Sequence, residues 1–304
     1  MRTTRARGEG ARAALAAALV VAAWGAPAGA SGIDDLHAVP DAPRAPSLPE
    51  LTHPDGEASI ELTSGASWPR ATSPLGHVPV HVARIAAEQP IGGRHFFAGG
   101  AYEGALGAPT TVHAPELLGG NAELGGRAIW ATSTGLAFGG GAAVVLPTAS
   151  FDRDGPAEGL ARAAVSLRPF DAAFFDEGAF ALHPFLDVRT LTGPLVLQLR
   201  QSFSWSLDVR HGRDARLSAA ATLYAAVRAT RVVALGIEAH ELYLVEDDTV
   251  HDEARRVFFA LSPHVRLMLP RVQPMLGFVT SVGPAYEGGA DHMFAVRVGV
   301  TVLY

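Results

Sequence analysis

The chain has no cysteine, and all 24 of its basic Lys/Arg positions are arginine. Without Cys no disulfide framework can form, and a lipid-modified N-terminal Cys is impossible. Beyond the first thirty residues there is also no apolar run of about 18 residues, so a helical span is excluded there and an integral protein must be a barrel. Positive charge is the scarcer sign. If the first thirty residues are removed, four Arg and Glu9 go with them, leaving 20 basic and 29 acidic residues and a formal charge of −9. That balance speaks against nucleic acid as a partner.

Removal is expected because Arg2, Arg5, Arg7 and Arg12 precede an apolar run ending in Ala28-Gly29-Ala30, the pattern of a secretory signal cleaved after Ala30. A membrane anchor is the competing reading, but the run is short, Ala-rich and interrupted by Gly25 and Pro27. Residues 31–56 follow, with Pro40, Pro43, Pro46, Pro49 and Pro54 among acids and small residues. Such a composition cannot bury enough surface to order itself alone and reads as a Pro-rich periplasmic tail.

From residue 57 to 304 the chain alternates. Leu195, Leu197, Leu199, Gln201, Phe203, Trp205, Leu207 and Val209 share one face of a strand whose other face carries Val196, Gln198, Arg200 and four small or acidic residues. At about sixteen residues it exceeds the five or six usual in globular sheets and the 9 to 11 needed to cross a bilayer core. Segments 180–189, 216–228, 233–245, 256–267 and 294–304 repeat the design. Glu241 interrupts one of them, as a bulge or a strand already outside the lipid would.

A transmembrane antiparallel up-and-down β-barrel with an even strand count, short periplasmic turns and longer outer loops accounts for the spacing. Counting back from Tyr304 puts inner turns at 268–271, 229–230 and 190–193, and outer loops at 284–292, 246–253 and 210–214. Parity then makes 148–175 one long outer loop; Leu160, Ala163, Ala164 and Leu167 inside it have helical spacing. Strands at 135–147, 122–132, 94–104, 78–88 and 57–64 bring the total to about twelve. Phe180, Trp205, Tyr243, Phe259 and Phe294 fall toward the outer ends, and Trp130 and Tyr304 toward the periplasm, as two aromatic girdles require.

The final strand, with Phe294, Val296, Val298, Val300, Val302 and Tyr304 alternating, resembles the C-terminal assembly signal of proteobacterial outer-membrane barrels. The resemblance implies outer-membrane lipid and the barrel assembly machinery as partners. Segments 135–152 and 260–269 are similar to parts of the transporter family named after the meta-pathway of phenol degradation. This implies an outer-membrane barrel admitting small molecules, hydrophobic ones among them.

Candidate site residues are the polar inward positions Arg200, Arg216, Tyr224, Arg228, Glu238, His240, Arg256, His264, Arg266 and Arg297, with Asp187 and Arg189. They form either a structural ladder inside the wall or a constriction that selects a small-molecule permeant by charge. Gly139, Gly140 and Gly141 leave room either for a kink in the wall or for a loop or tail packed inside. A lipid-modifying enzyme is less favoured: Ser204, His183, His240, Ser262 and His264 supply residue types, but there is no G-x-S-x-G motif and no implied triad. His77 and His81 read as an interfacial pair without a metal, and no cofactor is expected. The leading function is a passive porin or transporter; the alternative is a closed structural or partner-binding barrel.

Overall fold

The computed structural model describes residues 43–48, 51, 56–68, 79–91, 95–107, 116–132, 136–151, 156–209, 215–246, 256–282 and 292–304. Twelve strands, β1 (Glu57–Trp68), β2 (Pro79–Pro90), β3 (Phe96–Gly107), β4 (Glu116–Ala131), β5 (Leu136–Leu146), β6 (Ala179–Thr192), β7 (Leu195–Asp208), β8 (Arg216–Arg228), β9 (Val233–Glu246), β10 (Val257–Leu267), β11 (Val272–Val282) and β12 (His292–Leu303), run in sequence order. Each pairs antiparallel with its neighbours, and β1 closes on β12 from Glu57↔Leu303 to Trp68↔His292. The closed ring leaves no open edge, which lipid would not tolerate.

Alternation decides which residues face out. On β7 Leu195, Leu197, Leu199, Phe203 and Trp205 are exposed, while Val196 and Gln198 are buried. On β12 Phe294, Val296, Val298, Val300 and Val302 are exposed, and Ala295 and Arg297 are buried. The exterior is thus a continuous apolar band, each large side chain stabilised by roughly 1.5–3 kcal/mol when taken out of water, and the wall is a transmembrane one. Trp205, Tyr243, Phe259 and Phe294 are exposed toward the end with long connections, and Trp130 and Tyr304 toward the other.

Connections differ sharply between the two ends. The β6–β7, β8–β9 and β10–β11 links are 193–194, 229–232 and 268–271, with Gly193 at φ 58 in the tightest. The β5–β6 link, by contrast, spans 147–178 and carries a helix, α1 (Pro156–Leu167), then a 3-10 helix, Pro169–Phe175. The β9 ladder passes through Glu241 without a break; the register shift in the β8–β9 pair lies at Leu217/Ser218, nearer the rim. A second shift, at Tyr102/Gly104 against β4, buries Gly120 and Asn121 in succession, and β4 begins six residues before the expected 122.

Two chain segments occupy the interior. At the long-loop end Leu160, Ala161, Ala164, Leu167, Phe174 and Phe175 pack against Val80, Val82, Leu118, Leu242, Phe258 and Met293 of the wall. The helical spacing thus buries its apolar face inside the barrel mouth rather than against a separate core. At the short-turn end the described part of the expected tail lies within the lumen. Ala45 and Leu48 pack on Val196, Tyr224 and Ala226, and Leu51 on Phe97, Ile129 and Ala137. The wall orders what the Pro-rich composition could not order alone.

Candidate functional site

The site is the lumen between these two inserts. Its centre is Arg297, brought in by the odd-numbered face of β12, whose guanidinium sits between two carboxylates. Nη2 donates to Glu61 Oε2 at 2.7 Å, and Nη1 donates to Glu238 Oε2 and to Ser262 Oγ, both at 2.9 Å. Each carboxylate spends its other oxygen on an insert. Glu61 Oε1 accepts from Arg168 Nη1 at 2.7 Å in the outer insert, and Glu238 Oε1 accepts from Ser47 N at 2.9 Å and Ser47 Oγ at 2.6 Å in the inner one. Buried charges need this degree of pairing, because desolvation otherwise outweighs the Coulombic gain.

The outer insert is held at further points. Arg168 donates to Asp171 Oδ2 through Nε and Nη2 at 2.8 and 2.6 Å and lies 3.4 Å from Glu103. Burial by itself would raise the Asp171 pKa, but the facing Arg168, with help from Arg84, outweighs it and holds the carboxyl below its ordinary range. The β4 bulge turns Asn121 inward, where its amide donates to the carbonyls of Ala173 at 2.7 Å and Asp176 at 2.8 Å and its oxygen accepts from Ala149 N at 2.7 Å. Bulges re-aim side chains in this way.

The inner insert is held mostly through its backbone. Tyr224 Oη donates to Arg44 O at 3.0 Å, Arg189 Nη2 to Pro43 O at 3.3 Å, and the Arg44 side chain pairs with Glu57. Two glycines make the room. A Cβ on Gly139 would lie 2.8 Å from Leu51 Cδ2, and one on Gly236 would lie 2.6 Å from His264 Nε2. The space at Gly236 lets His264 lie flat against the wall, stacked on Tyr224 with centroids 5.8 Å apart.

Between the inserts is open space of about 220 Å³ and, adjoining it, about 150 Å³. Both spaces are lined by Ser47, Leu48, Arg84, Glu123, Phe185 and Arg200, so they meet at these residues. Arg200 forks onto Asp187 at 2.8 and 2.7 Å and lies over the Phe185 ring at 4.0 Å. Across the lumen Arg127 pairs with Glu88, and His183 Nδ1 lies 3.1 Å from Glu123.

No family model matches the chain, and no curated protein does. Solved structures do. An outer-membrane channel from Pseudomonas putida F1 superposes with a TM-score of 0.62 over 86% of this chain and 99% of that one, at 11% identity. The KdgM porin aligns over 81% of this chain and 99% of that one, with a TM-score of 0.47 and 10% identity. The β-domain of the Bordetella autotransporter BrkA aligns at 0.43 and 11%, over 82% and 99%. The fold is that of an outer-membrane barrel.

Of the positions expected from sequence, the barrel brings Tyr224, Glu238, His240, His264, Arg266 and Arg297 onto one stretch of wall, β8 to β12. Arg266 donates to Thr301 Oγ1 at 3.0 Å, and His240 meets Thr222 Oγ1 at 3.1 Å and Glu238 at 3.5 Å. Arg200, with Asp187 and Arg189, lies further round. Three others stay at the rims. Arg216 pairs with Asp176 at 3.2 Å, Arg256 donates to the carbonyls of Leu244 and Val245, and Arg228 donates to those of Thr230 and Arg231 in a short turn.

Of the serines and histidines considered for catalysis, Ser262 accepts from Arg297 and His264 contacts the Ser262 carbonyl at 3.3 Å. His81 bonds outward to Ser64 at 2.7 Å, and His77 lies outside the described residues. Among the described residues no cluster could hold a metal. Sequence reasoning overlooked Glu61, Arg84, Glu88, Glu103, Glu123 and Arg127 on β1 to β4, although each sits at an alternating position, and it overlooked Arg168 and Asp171 in the loop.

Proposed function

We propose that the chain is an outer-membrane channel for small polar molecules, exported by a signal cleaved near Ala30 and closed at rest by its own two inserts. The carrying observation is that the lumen is filled by two chain segments and not by the side chains of the wall alone. An eight-stranded barrel is filled by the side chains of its own wall, and wider barrels leave room. Here twelve strands leave a gap that 43–48, Leu51 and 156–175 occupy through hydrogen bonds, ion pairs and apolar contacts, with polar space between them. The alternating C-terminal strand supports delivery by the barrel assembly machinery into outer-membrane lipid. The resemblance to the phenol meta-pathway transporters supports a transport role, although the charged chamber favours polar permeants over the hydrophobic ones that resemblance implies.

Deleting residues 31–51 from the mature chain tests the reading. In a planar bilayer the deletion protein gives discrete, frequent conductance steps, whereas the full mature chain is mostly closed. A folded deletion protein that stays electrically silent would instead support a closed structural barrel. A barrel that binds a partner through 148–175 is disfavoured, because the apolar face of that loop is already spent inside the mouth.

A further inference from the structure

Charge is unevenly distributed around the lumen. Away from the rims, the described inward positions of β1 to β4 carry Glu61, Glu88, Glu103 and Glu123, with Glu57 at the short-turn end, against only Arg84 and Arg127. Those of β6 to β12 carry Arg189, Arg200, Arg266 and Arg297 against Asp187 and Glu238, and the histidines His183, His240 and His264 are there as well. One arc is acidic, and the rest of the ring, which adjoins it where β12 pairs with β1, is basic on balance. In a narrow, low-dielectric lumen such an arrangement sets up a field across the pore, not along it.

The inserts show what this field orients. The inner one lies with a cation toward the acidic arc, Arg44 on Glu57, and with two carbonyls toward the basic arc, where Arg189 and Tyr224 donate to Pro43 and Arg44; its donors at Ser47 meet Glu238, a carboxylate within that arc. The outer one also sends its guanidinium to the acidic arc, Arg168 onto Glu61 and toward Glu103. Where the two open spaces meet, Arg84 and Glu123 stand on one arc and Arg200 on the other. Arg200 uses Nε and Nη2 on Asp187, and its guanidinium carbon lies 4.0 Å over the Phe185 ring.

We infer that the lumen selects small zwitterions, molecules bearing an ammonium at one end and a carboxylate at the other, which take the orientation of the inner insert once it leaves. The inference rests on the channel reading above. A space of about 220 Å³ accommodates a molecule of amino-acid size. A permeant with both charges gains at both arcs, whereas an uncharged solute must desolvate the paired ions without compensation.

The test uses the protein lacking 31–51 in liposome swelling, with two net-neutral probes of similar length, γ-aminobutyrate and butane-1,4-diol. The expected result is entry of γ-aminobutyrate roughly fivefold or more faster, as one retained charge-assisted contact would give, and loss of that preference in the double variant Glu123→Gln, Arg200→Gln. Equal rates, or faster entry of the diol, in a protein that conducts KCl would overturn the inference and leave the channel reading standing. A folded deletion protein that passes neither solute nor KCl would remove both. If the deletion prevents folding, full-length Arg44→Gln, Ser47→Ala, with its inner insert loosened, carries the same comparison with the same outcomes.

Discussion

At the scale of single residues the lumen depends on carboxylates that each serve two masters. Glu238 binds Arg297 with one oxygen and Ser47 with the other, and Glu61 holds Arg297 through both oxygens while sharing Oε1 with Arg168, so loss of an insert contact leaves the wall pair intact. Arg168→Met should therefore loosen the outer insert without unfolding the barrel. Removing one partner of a buried pair costs about 3–5 kcal/mol; Glu61 keeps Arg297, while Asp171 and Glu103 lose the guanidinium that faces them. Single-channel recordings should show more frequent opening, while heat-modifiable migration on a gel persists. Asp171 adds a dependence on pH. Its folded pKa is depressed, so its contribution is complete above the ordinary carboxylate range, near pH 4, and fades as pH falls through the lowered value. Acidification from pH 5 to pH 3 should raise opening in the wild type, and Asp171→Asn should already open more at pH 5 and respond less to acid.

Among the elements, contact between Gly139 and the inner insert allows a sharper experiment. A side chain at Gly139 meets Leu51 at once, so Gly139→Val should expel the insert and raise conductance. Gly139→Val combined with Leu51→Gly should restore much of the closure, with a coupling of about 1–2 kcal/mol from opening equilibria in a double-mutant cycle. Independent effects would mean that Leu51 does not close the pore. Such a contact shows where the sequence is legible and where it is not. Alternation in 194–209 and 294–304 places strands because lipid imposes a period of two on every exterior position, and parity alone exposes 148–175 as a connection. The helical spacing of Leu160, Ala164 and Leu167 marks an apolar face, but nothing local says that the face turns into the barrel. Asn121 stays hidden because a bulge breaks the alternation that would have flagged it. The arginines of β8 to β12 stand out against Leu and Val, whereas Glu88, Glu103 and Glu123 of β2 to β4 lie in strands rich in Gly and Ala, where alternation is faint. The partnership of Glu238 with Ser47 spans 191 positions and is a product of closure, not of local pattern.

For the whole molecule, the decisive property is the sign of each position, outward to lipid or inward to the charged lumen. A slip of one residue would exchange the two faces of a strand, placing Arg297 in lipid and Val298 among ions, so closure enforces register on every strand at once. On β8 the exposed Leu223 lies between Ala221 and Ala225 on the apolar exterior, whereas Ser218 lines the chamber. Leu223→Arg should destabilise the folded barrel by about 2–4 kcal/mol, the cost of a cation near the bilayer midplane. Ser218→Arg should change stability by less than about 1 kcal/mol, because the lumen already solvates guanidinium groups, and it should instead alter the reversal potential toward anions. Urea titrations of folding into vesicles measure the first pair of values, and bilayer recordings in a KCl gradient the last. Equal penalties at the two positions would mean that the exterior of β8 does not face lipid, and the membrane orientation of the barrel would fail with it.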